Sequence, residues 1–398
     1  MTSHPTGLRS IRDLDLARHR VLIRVDFDIP VKKGVPIDDT RIREAIPTIR
    51  LAMEAGARVI LAAHRGPSRS KQAHRLSLEP HGLRLAELSG YEVHLPEDCV
   101  GDAPRKVIQD LRDGQLCLLE NLVLHQGEEQ NDPNFARQLA ELCDLYVNDA
   151  FGVCPRAWAS IQALPRQMRQ RACGLQLEKE FVSLGRILDP ERPLVALIGG
   201  GRLGDKLPFL EVLLDRADTL LIGGAIANTF LKARRKNLQL AHLEEDKVAL
   251  VQSILHRAEK RNITVVLPTD VVVARSSGEE EGELVRVEDI PPGKVVLDIG
   301  PETRKTFAAR LDRARTIYWN GPVGAHEAPP FAAGTQAMIQ AICQADAFSV
   351  ASGGDTLSAL ASASAELRRG FNHLSTAGGA VLDFLAGRKL PGIEALRT

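Results

Sequence analysis

The sequence predicts an α/β fold built twice along one chain, and three observations predict it. The second half carries short apolar runs closed by glycines or polar turns. Residues 194–198 lead into Gly199, Gly200 and Gly201, 219–222 into Gly223 and Gly224, and 295–297 into Asp298 and Gly300. Residues 316–319 lead into Asn320 and Gly321, and 348–350 into Gly353, Gly354 and Asp355. The first half repeats the pattern at 21–25, 58–62, 116–119 and 145–147, with helical periodicity over 41–55 and 134–142. Between the halves lies an amphipathic stretch, 175–188, closed by Asp189, Pro190 and Pro193. Apolar runs separated by helix-length segments read as parallel strands, and proline ends helices. The expected fold is two Rossmann-like three-layer lobes with parallel sheets, joined by a hinge helix. Its parts are a first lobe over 1–172, the hinge helix over 173–190, a second lobe over 191–380, and a tail over 381–398 returning to the first lobe.

Size and charge agree with this division. A chain of 398 residues exceeds what one hydrophobic core usually fills. Lysine plus arginine and aspartate plus glutamate both number 51, which leaves no net field to draw a nucleic acid. The six cysteines (Cys99, Cys117, Cys143, Cys154, Cys173, Cys343) contain no C-x-x-C pair, a pattern of free thiols rather than of a disulfide framework or zinc site. No apolar run approaches the roughly 18 residues of a membrane span, and the start has no apolar core of a secretory signal. The expectation is a cytoplasmic monomer without nucleic-acid or membrane partners. The acidic stretch 279–283, flanked by glycine and serine, reads as a solvated loop.

Ligands of open α/β sheets bind beyond the carboxyl ends of the strands. Glycine there lets backbone N–H groups approach an anion without a Cβ in the way, which makes a polyphosphate the natural candidate. The segment from Gly199 to Lys206 formally contains G-x-G-x-x-G, a weak signal by itself. A dinucleotide site also needs an acidic residue at the end of the next strand, and that strand ends in Gly223 and Gly224. The P-loop pattern is absent. Asp355, after two glycines, reads alone as a helix N-cap.

Longer blocks add up to something specific. They include Arg24-Val-Asp-Phe-Asp-Ile-Pro30, Asp38-Asp-Thr-Arg-Ile-Arg43, Gly127-Glu-Glu-Gln-Asn-Asp-Pro133 and Val147-Asn-Asp-Ala-Phe-Gly152. The second half adds Leu297-Asp-Ile-Gly-Pro301, Trp319-Asn-Gly-Pro322, Phe331-Ala-Ala-Gly-Thr335, Gly353-Gly-Asp-Thr356 and Leu390-Pro-Gly392. On these blocks the chain resembles the phosphoglycerate kinase family over nearly its whole length. The resemblance implies ATP/ADP and Mg2+ on the second lobe and a small carboxylate, 3-phosphoglycerate in the family, on the first. It places Gly199, Gly200, Gly201 and Lys206 at the nucleotide phosphates, and Gly223 and Gly224 at the adenine wall. Asn320 and Glu327 would touch the nucleotide, Asp355 would serve the metal, and Gly354 and Thr356 would offer donors near phosphate. Asp26, Arg41, His64 and Arg156 match the acceptor cradle, and Asp28 occupies a further substrate-side position. Arg41, Gly378 and Gly379 match groups around the transferred phosphoryl, and Arg202 occupies another of those positions.

Several positions depart from the family pattern. Pro67 and Val123 stand where the family has arginines of the cradle, with Arg65 two positions before Pro67. Pro155 and Trp158 stand for histidines and Asp28 for an asparagine, Arg202 for the lysine at the transfer point, and Ala377 for a glycine. Replacing an arginine removes a charge-assisted phosphate contact worth roughly 1.5–3 kcal/mol, and arginine is not equivalent to lysine at a site tuned for in-line transfer. The family activity is the leading expectation. Two others stand beside it: a paralogue acting on another carboxylic acid, and a nucleotide-binding protein without turnover.

Overall fold

The computed structural model describes residues 7–66, 76–234 and 243–397. Its contacts divide the chain into two units, one of Met1–Val182 with Gly387–Thr398, the other of Ser183–Ala386. The division falls inside the helix Leu175–Leu188, and the returning tail begins at Gly387.

The first unit is a six-stranded parallel sheet. Its strands are β1 (Arg20–Arg24), β2 (Arg58–Ala62), β3 (Val93–His94), β4 (Leu116–Leu118), β5 (Leu145–Asn148) and β6 (Arg171–Cys173), in the order β3-β4-β2-β1-β5-β6. Parallel strands are covered on both faces, so they read as continuous apolar runs rather than alternating ones. Val21, Leu22 and Ile23 of β1 and Val59, Ile60 and Leu61 of β2 are fully buried. The helix Thr40–Glu54 seats Ile42, Ile46 and Ile49 on the same core. After β1 the chain fills one side of the sheet with β2, β3 and β4 and later the other with β5 and β6. The carboxyl ends of β1 and β5 therefore flank a topological switch point, where such sheets form their ligand crevice.

The second unit repeats this plan with β7 (Leu194–Ile198), β8 (Thr219–Ile222), β9 (Thr264–Val266), β10 (Thr316–Asn320), β11 (Phe348–Ser352) and β12 (His373–Ser375), in the order β9-β8-β7-β10-β11-β12. Its switch point lies between β7 and β10. The run at 295–297 corrects the expectation of a parallel strand. It belongs to Val295–Ile299, which pairs antiparallel with Asp270–Ala274 in a separate three-stranded sheet completed by Glu283–Arg286. A parallel neighbour needs a crossover long enough to cover a sheet face. The segments joining these three strands hold only turns and one short 3-10 helix, so they return antiparallel. All six cysteines are free. Among the described residues no helix is long and apolar enough to cross a membrane.

Candidate functional site

In the first unit the candidate acceptor residues gather beyond β1 and β2. Arg41, on the first turn of its helix, donates from Nη1 to Asp26 Oδ1 at 3.2 Å and to the Asp28 carbonyl at 3.0 Å. Asp28 Oδ1 accepts the Gly66 N–H at 2.8 Å, which ties the β1 loop to the β2 loop. His64 is buried, its ring edge-on to Trp158 with centroids 4.9 Å apart, and the Arg156 guanidinium lies 4.6 Å over the Trp158 ring. Burial first, and then the charges of Arg24, Arg156 and Arg41, hold the His64 imidazole well below the usual histidine range. Asp26, Asp28, Arg41, His64 and Arg156 thus share one edge of the sheet.

The departures sit at the same edge. Val123, 2% exposed, packs in one apolar cluster with Ala150, Val153, Trp158 and Ile161. Where the resemblance implied a cradle of arginine and histidine, this chain has a small core. Arg65 does not replace the lost cation in this geometry, because its Nη1 donates to the Ser77 carbonyl at 3.0 Å. Pro67 lies outside the described residues.

One group here escaped the sequence reading. Arg24, the last residue of β1, is fully buried, donating from Nε to Ser160 Oγ at 2.9 Å and from Nη2 to His64 Nδ1 at 3.0 Å. Glu128, also fully buried, accepts from the hydroxyl and the N–H of Ser160. The signal was present as an arginine ending the apolar run Val21-Leu-Ile-Arg-Val25, since a central strand buries a charge only when something pairs it.

In the second unit a cavity of about 510 Å3 opens at the carboxyl ends of the strands. It is lined by backbone at Gly200, Gly201 and Gly224, by apolar side chains including Val296, Leu297 and Val323, and by Glu327 and Asp355. A cavity of that size lined by apolar and a few polar groups is of the kind that takes a small-molecule ligand. Lys206 donates from Nζ to Asn320 Oδ1. Desolvation lowers the pKa of its ammonium, opposed by Asp355 and Asp205. Asn320 is fixed in turn by Ser352 Oγ at 3.0 Å, so it aims Lys206 as much as it faces a ligand.

The glycines have a different reason than expected. The N–H groups of Gly199, Gly200, Gly223 and Gly224 donate to the carbonyls of Asn320, Pro322, Ile198 and Val323, so they are spent inside the protein. A Cβ on Gly199 would lie 2.2 Å from the Pro322 oxygen, and one on Gly321 2.3 Å from the Gly199 oxygen. Glycine is needed here because two strand-end loops cross at the switch point. Gly201 is the exception, with open space around it.

Thr356 is likewise buried, its Oγ1 accepting the Gly321 N–H at 2.7 Å; it braces the loop rather than presenting itself to solvent. Gly354 and Asp355, on the first turn of the helix Gly354–Ala361, are exposed. Glu327 extends into solvent with its carboxylate 3.1 Å from His326 Nδ1. Arg202, largely exposed, pairs with Asp205 at 3.1 Å and remains able to reorient. Ala377 is buried, while added Cβ atoms on Gly378 or Gly379 would meet nothing within 4 Å. The Ala377 methyl therefore does not fill the space before those two glycines.

The two candidate sites differ in chemistry, one set with arginine and histidine, the other with glycine backbone, lysine and aspartate. Comparison with known proteins names one family. Residues 11–388 match the family model described as phosphoglycerate kinase. The chain is 44% identical over 389 residues to a phosphoglycerate kinase of Moorella thermoacetica, covering 97% of this chain and 98% of that one. It is 46% identical over 396 residues to one of Anaeromyxobacter sp. (strain Fw109-5), covering 98% and 99%. The structure of phosphoglycerate kinase from Coxiella burnetii superposes with a TM-score of 0.87 at 36% identity, covering 98% of each chain. Matches of this length and coverage establish that the chain belongs to the phosphoglycerate kinase family, whose members are phosphotransferases acting on a carboxyl group.

Proposed function

We propose that the chain catalyses the phosphoglycerate kinase reaction, reversible transfer of the ATP γ-phosphoryl to the carboxylate of 3-phosphoglycerate, as a cytoplasmic glycolytic enzyme. The observation that carries the reading is the pair of strand-edge sites, one in each unit, within near full-length relatives of that name. The relatives lend no support to a different acid or to loss of turnover.

The acceptor oxygen is already an anion, so no general base is required. What the reaction needs is positioning of two anions and cations that offset the developing charge. In this reading Arg41 sets its guanidinium against the acceptor carboxylate, steered by Asp26, while His64 and Arg156 hold the rest of the acceptor. On the nucleotide side Lys206, aimed by Asn320, faces the phosphates, Arg202 swings to the transferred group, and Gly378 and Gly379 leave room for it. Glu327 is placed to accept from a ribose hydroxyl. Asp355 suits Mg2+, since an exposed carboxylate lining the cavity matches a hard cation that keeps several waters. When bound, the metal neutralises and orients phosphate oxygens.

The test is turnover with Mg-ATP and 3-phosphoglycerate beside a panel of unphosphorylated carboxylic acids. The expected result is a kcat/KM for 3-phosphoglycerate at least roughly tenfold above any panel member, the worth of one retained charge-assisted phosphate contact. Faster turnover of an unphosphorylated acid, or calorimetric ATP binding with no turnover of any acid, would overturn it.

A further inference from the structure

Behind the acceptor edge of the first unit runs a chain of buried polar groups that no step of the reaction consumes. Glu128 accepts from the Ser160 hydroxyl and, at 2.9 Å, from the Ser160 N–H. The same hydroxyl oxygen accepts from Arg24 Nε at 2.9 Å, and Arg24 Nη2 meets His64 Nδ1 at 3.0 Å. Tyr146 closes the far side by donating to the Ser160 carbonyl at 2.7 Å. Glu128, Arg24 and Ser160 are each fully buried, and His64 is 2% exposed.

At the Arg24–His64 contact the donor and acceptor roles have one solution. Arginine carries five N–H donors, no acceptor, and does not deprotonate in proteins. His64 Nδ1 must therefore accept, and the ring proton must sit on Nε2. Protonating Nδ1 would set two donors face to face. His64 Nε2 is buried without a hydrogen-bond partner among the described residues, and the Asp28 carboxylate, at 3.6 Å, is beyond hydrogen-bond range. Arg24 cannot rotate away to relieve the histidine, because the Ser160 hydroxyl holds Nε and the Val25 carbonyl takes Nη1. Its charge is opposed by Glu128, one hydroxyl away, as a buried guanidinium requires.

We propose that Glu128, Ser160 and Arg24 form a positioning relay that fixes His64 as a neutral imidazole with its proton on Nε2, so that His64 binds an acceptor oxygen by donation and takes no part in proton transfer. The claim rests on reading this edge as the acceptor site, but the relay itself is a property of the free protein. The charged groups facing His64 are Arg24 from β1, Arg41 from its helix, Arg156 over Trp158, and Asp28 from the β1 loop. Three of the four are cations, and all three oppose a second proton on the ring.

The experiment is a nitrogen–proton correlation spectrum of the imidazole rings in the ligand-free, 15N-histidine-labelled full chain across neutral pH. The His64 resonance is assigned by its loss in His64→Gln. The expected parent spectrum shows His64 only as the Nε2–H tautomer, with no titration near the ordinary value of about 6.5. A parent showing the Nδ1–H form, or titrating near that value, overturns the proposal. In Ser160→Ala, and separately in Glu128→Gln, the ring should become a mixture of tautomers. The KM for 3-phosphoglycerate should then rise roughly three- to tenfold and gain a new pH dependence, with kcat changed less, as expected for a weakened ground-state hydrogen bond. An unchanged spectrum and pH profile in both folded variants would also overturn it. The parent spectrum needs no relay substitution, so it decides the tautomer even where a variant fails to fold. A parent in the Nε2–H form that does not turn over 3-phosphoglycerate would overturn the reading of the reaction and leave the relay standing.

Discussion

His64 shows how a single residue links the core to the acceptor edge. Its imidazole is held well below the ordinary histidine range, first by burial and then by three arginines. The unfolded chain, with a histidine of about 6.5, therefore takes up a proton before the folded one does. Stability from this group is fully present above about pH 6.5 and is lost as pH falls from there toward the depressed folded value. Denaturant unfolding at a series of pH values should show that acid limb in the parent, and His64→Gln should flatten it; an unaltered limb would assign the effect to other groups. Single residues were legible where a motif surrounded them, as with Arg41, His64 and Asp355. Arg24, Ser160 and Glu128 were not singled out, because their meaning lies in contacts across 136 and 32 positions of chain that no local spacing reveals. The glycines of the second unit were legible in place but not in cause, since nothing in their spacing says that two loops cross there.

At the scale of elements, the long central strands were plain because parallel strands covered on both faces are uninterrupted apolar runs. The edge strands Val93–His94, Arg171–Cys173, Thr264–Val266 and His373–Ser375 were not, being two or three residues long and defined by pairing more than by composition. The run at 295–297 has the composition of a buried strand and misled on direction, which connection length decides. The cluster beneath the acceptor edge makes a sharper claim. Val123 and Trp158 share one apolar core, so neither changes alone without loss. Val123→Arg should destabilise the protein by more than about 2 kcal/mol, because the guanidinium would enter a site with no buried partner for it. Trp158→His made together with it should recover about 1 kcal/mol or more relative to the sum of the single changes, as contacting residues couple. A double-mutant cycle by denaturant unfolding measures this. Additivity within about 0.5 kcal/mol would mean that the two positions do not act as one core.

For the whole molecule, composition and repeated pattern were enough to predict two parallel-sheet lobes, and the described structure has two six-stranded parallel sheets. Each sheet changes direction of growth once, and each has candidate site residues on strand-end loops beside that switch point, so the duplicated plan accounts for one candidate site per unit. The small antiparallel sheet, whose strand Val295–Ile299 contributes to the cavity lining, is an addition that the first unit's edge lacks among the described residues. The central claim is that this chain moves a phosphoryl group from nucleotide to a carboxylate oxygen. The most direct measurement incubates γ-32P-ATP with Mg2+ and 3-phosphoglycerate and adds hydroxylamine, which converts acyl phosphate to hydroxamate and releases the transferred label as inorganic phosphate. Hydroxamate should form in proportion to ADP and only in the presence of 3-phosphoglycerate. ADP and labelled inorganic phosphate formed equally well without the acceptor, and no hydroxamate with it, would contradict the claim.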